Sequence, residues 1–111
     1  MKYFISYTLK DKEITKEFLE FVVKLYSKKD SVYIDLLNND SSNKQKRVIH
    51  ELDSSDIFVL IESKSVYKSK WVQIEIQRAK LGNKKFKIIK LEEIIKIQNN
   101  QKTYKFKTTL S

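Results

Sequence analysis

The sequence predicts an α/β fold, one domain spanning 1–111, built on a central and mainly parallel sheet. Three observations carry that prediction. Four short runs of β-branched and aromatic residues alternate with three longer stretches of helical period, in the order βαβαβαβ. Such alternation builds parallel sheets with right-handed crossovers. One of the runs, Ile57-Phe58-Val59-Leu60-Ile61, is apolar throughout rather than alternating, as expected of a strand covered on both faces. Finally, 111 residues with 41% hydrophobic content suit a single folded domain with a sizeable core.

Taken in order, Lys2-Tyr3-Phe4-Ile5-Ser6-Tyr7 reads as the first strand, near 2–7, because aromatic and β-branched residues dominate it. Thr8 to Lys12 is polar and makes a turn, in which Thr8 or Asp11 can cap the next helix. Ile14, Phe18, Phe21, Val22 and Leu25 follow at helical spacing and place that helix near 11–26. Val32-Tyr33-Ile34-Asp35 is a short second strand, near 31–35, that ends on a carboxylate. Residues 36–41 hold two Asn and one Asp and read as a loop. Ser42 followed by Gln45 has the spacing of a capping box, which opens a helix near 42–53 with Val48, Ile49 and Leu52 inward and His50 on its polar side.

The third strand falls near 56–61. After the loop 62–68, Ser69 is a plausible N-cap for a helix near 70–81, in which Val72, Ile76 and Ala79 form one apolar stripe. Gly82 stands where a helix often closes on a left-handed residue. Phe86-Lys87-Ile88-Ile89-Lys90-Leu91 makes the fourth strand. Beyond it, 92–98 reads as a short helix or an irregular stretch. Tyr104-Lys105-Phe106-Lys107-Thr108-Thr109 alternates and reads as an edge strand blunted by lysine.

Composition removes several classes of chemistry. With no cysteine there is neither disulfide nor thiolate metal site, and a single histidine excludes a multi-histidine metal site within one chain. One glycine and no proline rule out the Gly-rich phosphate loops of P-loop and Rossmann proteins. No apolar run approaches the roughly 20 residues of a membrane span, and the apolar part of 1–7 is too short for a signal peptide, so a cytoplasmic protein without membrane contact is expected. The formal net charge is +9, from 23 basic and 14 acidic residues. Only Arg47 and Arg78 among the basic residues are arginine, the side chain suited to bidentate phosphate and base recognition, so specific nucleic-acid binding is not expected. The positive charge does fit an anionic small substrate.

The stretch 69–79 concentrates the candidate chemistry. Trp71 and Glu75 are four residues apart and share a helix face. The pair sets an aromatic wall beside a carboxylate, as a glycosidic site requires: a flat surface to shape the pocket and a fixed negative charge near a sugar carbon that becomes positive. The same spacing also serves a tryptophan that caps the core beside a solvated acid. In an open parallel sheet, ligands bind beyond the carboxyl ends of the strands. Ser6-Tyr7-Thr8, Asp35 to Ser41 and Glu62 to Trp71 all converge there. Asp35 serves equally as a turn former at a strand end.

Four blocks in this order resemble the Toll/interleukin-1 receptor (TIR) domain family: Phe4-Ile5-Ser6-Tyr7, Val32-Tyr33-Ile34-Asp35, Ser55-Asp56-Ile57-Phe58-Val59-Leu60-Ile61, and Ser69-Lys70-Trp71-Val72-Gln73-Ile74-Glu75. They cover residues 2 to about 91. The resemblance implies a flavodoxin-like three-layer sandwich. It further implies one of two activities. Many microbial members cleave the nicotinamide–ribose bond of NAD, with the glutamate matching Glu75 as catalytic residue, giving ADP-ribose or a cyclic or conjugated form, and the setting this suggests is bacterial antiviral defence. Others act as non-enzymatic modules through TIR–TIR contacts. The Trp-x-x-x-Glu context of Glu75 favours the enzyme, with NAD as substrate, no cofactor and no metal. Tyr7 or Trp71 would then stack on a flat ring, and Thr8 and Asp35 would contact the nicotinamide ribose or amide. Self-association and a separate sensor or effector protein are the partners implied. The chain departs from the family pattern in the loop after the second strand, which lacks Pro and Gly, in the absence of arginine after Tyr7, and in its short C-terminal part.

Overall fold

The computed structural model describes residues 1–27 and 30–110, with side chains through 101. Its elements run β1 (Lys2–Ser6), α1 (Lys16–Tyr26), β2 (Ser31–Tyr33), α2 (Asp35–Asn38), α3 (Lys44–Asp53), β3 (Ile57–Glu62), a 3-10 turn (Val66–Lys68), α4 (Lys70–Leu81), β4 (Lys85–Lys90) and α5 (Leu91–Leu110). The strands form one sheet in the order β2-β1-β3-β4, with every pairing parallel. This is the flavodoxin-like order through its first four strands.

Side-chain alternation along the strands sorts the core into two layers. Ile5, Val59 and Ile61 face one way and pack with Ile14, Phe18, Leu19 and Val22 of the α1 segment and Leu91 and Ile94 of α5. Phe4, Tyr33, Phe58 and Leu60 face the other way, against Val48 and Leu52 of α3 and Val72 and Ala79 of α4. On this second face a line of aromatic rings crosses the whole sheet, one from each strand. Tyr33, Phe4, Phe58 and Phe86 stand at successive centroid separations of 5.6, 5.9 and 5.0 Å. Offset and tilted contacts of this kind are favoured by the ring quadrupoles. The result is the expected three-layer sandwich, with β1 and β3 central.

Several local details differ from the sequence reading, each for a nameable reason. Helix α1 begins at Lys16 rather than near 11, because Thr15 is the cap, its Oγ1 accepting from Phe18 N at 3.1 Å. The two expected caps are engaged elsewhere. Thr8 Oγ1 accepts from Lys10 N at 3.2 Å, and Asp11 accepts from Ser65 N at 2.9 Å, which ties the β1–α1 loop to the segment after β3. Helix α3 is capped by Asn43, whose Oδ1 accepts from Lys46 N at 3.1 Å, one residue after the Ser42 of the capping-box pattern.

Asp35 does not end β2 but opens the short helix α2, which was read as loop. Gly82 follows α4 with φ −84°, and the left-handed residue is instead Asn83 at φ 53°. Asparagine tolerates that region better than most residues. The largest correction is C-terminal. Residues 104–109 belong to α5, not to an edge strand. Leu91 and Ile94 anchor the start of α5 in the core, and no Gly or Pro stands between 91 and 110 to stop it. Once nucleated, a helix propagates through residues of modest propensity.

Two substitutions separate what stabilises this frame from what trims it. Leu52 has no exposed surface, whereas Arg78 meets Asp53 on the surface through two 2.7 Å bonds, with about half of each side chain exposed. Leu52→Ala is expected to lower unfolding free energy by about 2–5 kcal/mol, and Arg78→Ala by less than about 1 kcal/mol, both read from urea melts.

Candidate functional site

A cleft of about 220 Å³ opens beyond the carboxyl ends of β1 and β2, lined by Ile5, Tyr7, Thr8, Leu9, Asp35, Ser69, Trp71 and Glu75. Its position follows from topology. The chain leaves β1 toward β2 on one side and returns past β1 to β3 on the other, so the loops diverge and leave a crevice at this edge. Each wall is fixed by a specific contact. Ser69 caps α4, accepting from Val72 N at 3.3 Å. The Tyr7 hydroxyl accepts from Leu36 N at 2.9 Å and joins the end of β1 to α2. Asp35 Oδ1 accepts from the Tyr33 hydroxyl at 3.0 Å and from Asn39 Nδ2 at 2.7 Å.

Glu75 is the buried centre of the cleft. It lies on the inward face of α4 with Val72 and Ala79, only 5% exposed, where a core helix would ordinarily place an apolar residue. Its Oε1 accepts from Ser6 Oγ at 2.8 Å. Ser6, 1% exposed, shares its side of β1 with Phe4, so each polar side chain gives the other a partner in an otherwise apolar layer. Burial pushes the Glu75 carboxyl up to about 7, and the negative charge of Asp35 adds to the rise, while the Ser6 hydroxyl and Trp71 oppose it. A helix N-terminus favours the ionised form of a carboxylate near it. Desolvation wins, because Glu75 stands in the second turn and the dipole effect fades beyond the first. Burial also pushes the Tyr7 hydroxyl up to about 12, so it stays protonated and able to donate.

All five residues singled out from sequence, Tyr7, Thr8, Asp35, Trp71 and Glu75, therefore line one cleft. Trp71 is half-buried, packed on the edge of the α3–α4 layer rather than inside it. His50 is exposed on α3, away from the cleft lining. The sequence reading missed Ser6 as a site residue. The available signal was a lone hydroxyl in an apolar strand, on the same side as Phe4, which demands a buried partner.

Comparison with protein families matches the chain to the TIR domain over residues 4–108, nearly its whole length, and the chain belongs to the TIR domain family. That family includes NAD-cleaving enzymes as well as non-enzymatic members, and its domains generally associate with one another. Searches among curated proteins and among solved structures returned no match. Among the described residues no helix is long and apolar enough to cross a membrane.

The burial of Glu75 has a measurable signature. Its carboxyl rises from 4.5 to about 7 on folding, so between those values the folded chain keeps a proton that the unfolded chain has lost. The contribution is fully present below about pH 4.5 and is lost as pH rises through about 7, a change on the order of 3 kcal/mol. Relative to the wild type, Glu75→Gln is expected to gain stability as pH rises from 5 to 8, in urea melts at each pH.

Proposed function

We propose that this TIR domain is an enzyme that cleaves the nicotinamide–ribose bond of NAD. The observation that carries the reading is a buried carboxylate, Glu75, fixed by Ser6 and lining a cleft at the strand ends with Trp71. Nicotinamide in NAD is already a cationic leaving group and needs little help from an acid. Bond breaking places positive charge on the ribose, as in glycoside hydrolysis. A preorganised carboxylate beside that carbon stabilises the transition state more than the ground state. Trp71 or Tyr7 offers an aromatic surface for a flat ring. The hydroxyls of Tyr7 and Thr8 each accept from a backbone N–H, which leaves their protons free to donate to ribose or amide, and Asp35 can accept from a ribose hydroxyl. Lys10, Lys68 and Lys70 adjoin the lining residues Leu9, Ser69 and Trp71 in sequence and supply positive charge at the rim for a pyrophosphate. No metal enters this chemistry.

The setting that accompanies the reading is cytoplasmic antiviral defence in bacteria, with ADP-ribose or a cyclic or conjugated relative as product. Its size supports completion of the site by a second copy. At about 220 Å³ the cleft is smaller than the roughly 300–1,000 Å³ of pockets that enclose a drug-sized ligand, so it fits the nicotinamide riboside end and leaves the rest of the dinucleotide outside.

Nicotinamide release from NAD by the purified protein tests the reading. Glu75→Gln is expected to fold and to lose about 100-fold or more in rate, and wild-type activity is expected to rise with pH through about 7 as Glu75 ionises. Trp71→Ala should reduce activity, with a stability loss below the about 3–5 kcal/mol of a fully buried aromatic. A folded Glu75→Gln protein that cleaves NAD at the wild-type rate would remove Glu75 from the chemistry. Wild-type protein inert at every concentration would favour a role confined to TIR–TIR contacts. Self-association predicts that specific activity climbs with protein concentration, followed alongside oligomeric state by analytical ultracentrifugation. Constant specific activity in a monomer across the dilution series would count against a shared site.

A further inference from the structure

We propose that Ser6 is the positioning residue of the cleft: its hydroxyl anchors Oε1 of Glu75 and so reserves Oε2 for the ligand. The proposal deepens the NAD-cleavage reading and, as a statement about catalysis, rests on it.

The geometry is specific. Ser6 is the last residue of β1, paired with Leu60 of β3 at the centre of the sheet, and Glu75 is 69 residues further along the chain on α4. Strand and helix are both held by apolar packing on this face, so the Ser6 Oγ to Glu75 Oε1 bond of 2.8 Å joins two rigid elements. Ser6 holds Oε1, the indole of Trp71 is the other side-chain donor near the carboxylate, and Glu75 lines the cleft, so Oε2 is the oxygen that the Ser6 bond leaves for a ligand. A carboxylate bound through one oxygen to a fixed donor has lost its rotational freedom, and its second oxygen is aimed by the first. An unanchored glutamate would sample several rotamers and would be correctly placed in only some of them.

Three other polar groups face Glu75: Asp35 from α2, Tyr7 from the end of β1, and Trp71 from its own helix. Asp35 disfavours the ionised form, and Tyr7 already has its hydroxyl on the amide of Leu36. Ser6 is thus the one hydroxyl bonded to the carboxylate, and the largest influence that opposes its desolvation.

The test compares wild type with Ser6→Ala in two measurements. The first follows the Glu75 carboxyl by carbon-13 NMR across a pH titration, with no substrate present, against Glu75→Gln for assignment. Its midpoint is expected to rise by about one unit when the donor is removed. The second measures NAD cleavage across pH. In Ser6→Ala the acidic limb is expected to move up in step with that midpoint, kcat at the pH optimum to fall about tenfold, and KM to stay within about twofold. A purely structural role for Ser6 would lower stability and leave both midpoint and acidic limb in place, and that result would overturn the proposal. If Ser6→Ala fails to fold, Ser6→Cys keeps a side chain there with a weaker donor, and its titration decides in the same way. Wild-type protein that cleaves no NAD defeats the enzymatic reading alone, because the substrate-free titration still decides whether Ser6 controls Glu75.

Discussion

The arrangement of the cleft depends on the burial of one carboxylate. Helix α4 carries Val72, Glu75, Ile76 and Ala79 along its inward side, so a glutamate occupies a place where leucine would stabilise the layer. Desolvation makes that choice costly, and one serine hydroxyl offsets only part of the cost. The surrounding layer is correspondingly well built. The aromatic line from Tyr33 through Phe4 and Phe58 to Phe86 spans the sheet beneath α3 and α4, and Val48, Leu52 and Val66 pack within the same layer with little or no exposed surface. Strained or desolvated groups persist where the rest of a fold over-determines them, and buried titratable groups in clefts concentrate at functional sites.

Rigid placement of α4 serves the same end. Its N-terminus is capped by Ser69, and the preceding turn is bound by Gln73 Nε2 donating to Tyr67 O at 2.7 Å. Its C-terminal half is tied to α3 by the Arg78–Asp53 pair. Lys84, just past the helix, donates to the carbonyls of Asp53 and Ser55, both at 2.6 Å. Each exposed ion pair contributes little energy alone. Together these contacts fix the helix against the sheet edge. Asp11 performs the equivalent task for the loops, linking the segment after β1 to the segment after β3 through Ser65. On the proposed reading, a transition-state-stabilising group gains its advantage from not having to reorganise, and these contacts would supply that constraint from outside the cleft.

The sequence made the frame legible because the frame is periodic. Ile57 to Ile61 read as a doubly covered strand, and the stripe Val72, Ile76, Ala79 indicated which face of α4 turned inward. The topological rule then brought Tyr7, Thr8, Asp35 and Trp71 to one edge with Glu75. Competition between neighbouring capping residues was less legible. Thr15 displaced Thr8 and Asp11, and Asn43 displaced Ser42, because each cap depends on where the helix docks and not on the local motif alone. The end of the chain was misread for a related reason. Alternation in 104–109 is a local signal, whereas α5 is set by Leu91 and Ile94 docking on the α1 side of the sheet. Ser6 escaped notice because its meaning lies in a partner 69 residues away.

Burial of Glu75 also bears on what the cleft selects. Burial raises its carboxyl to about 7, so the free site keeps its proton well above the range in which an ordinary glutamate ionises. The fold withholds the positive charge that would keep Glu75 ionised, since Asp35 is the charged neighbour that influences it and its sign is wrong. On the proposed reading, the missing charge arrives with the substrate. A cationic nicotinamide ring beside Glu75 favours the carboxylate by direct attraction, and a neutral ligand of the same shape does not. Binding then carries proton release with it, and the attraction strengthens as positive charge spreads onto the ribose. The desolvation that costs the free protein stability thus becomes selectivity for a cation, because a carboxylate shielded from water interacts more strongly with the charge that reaches it than a solvated one would.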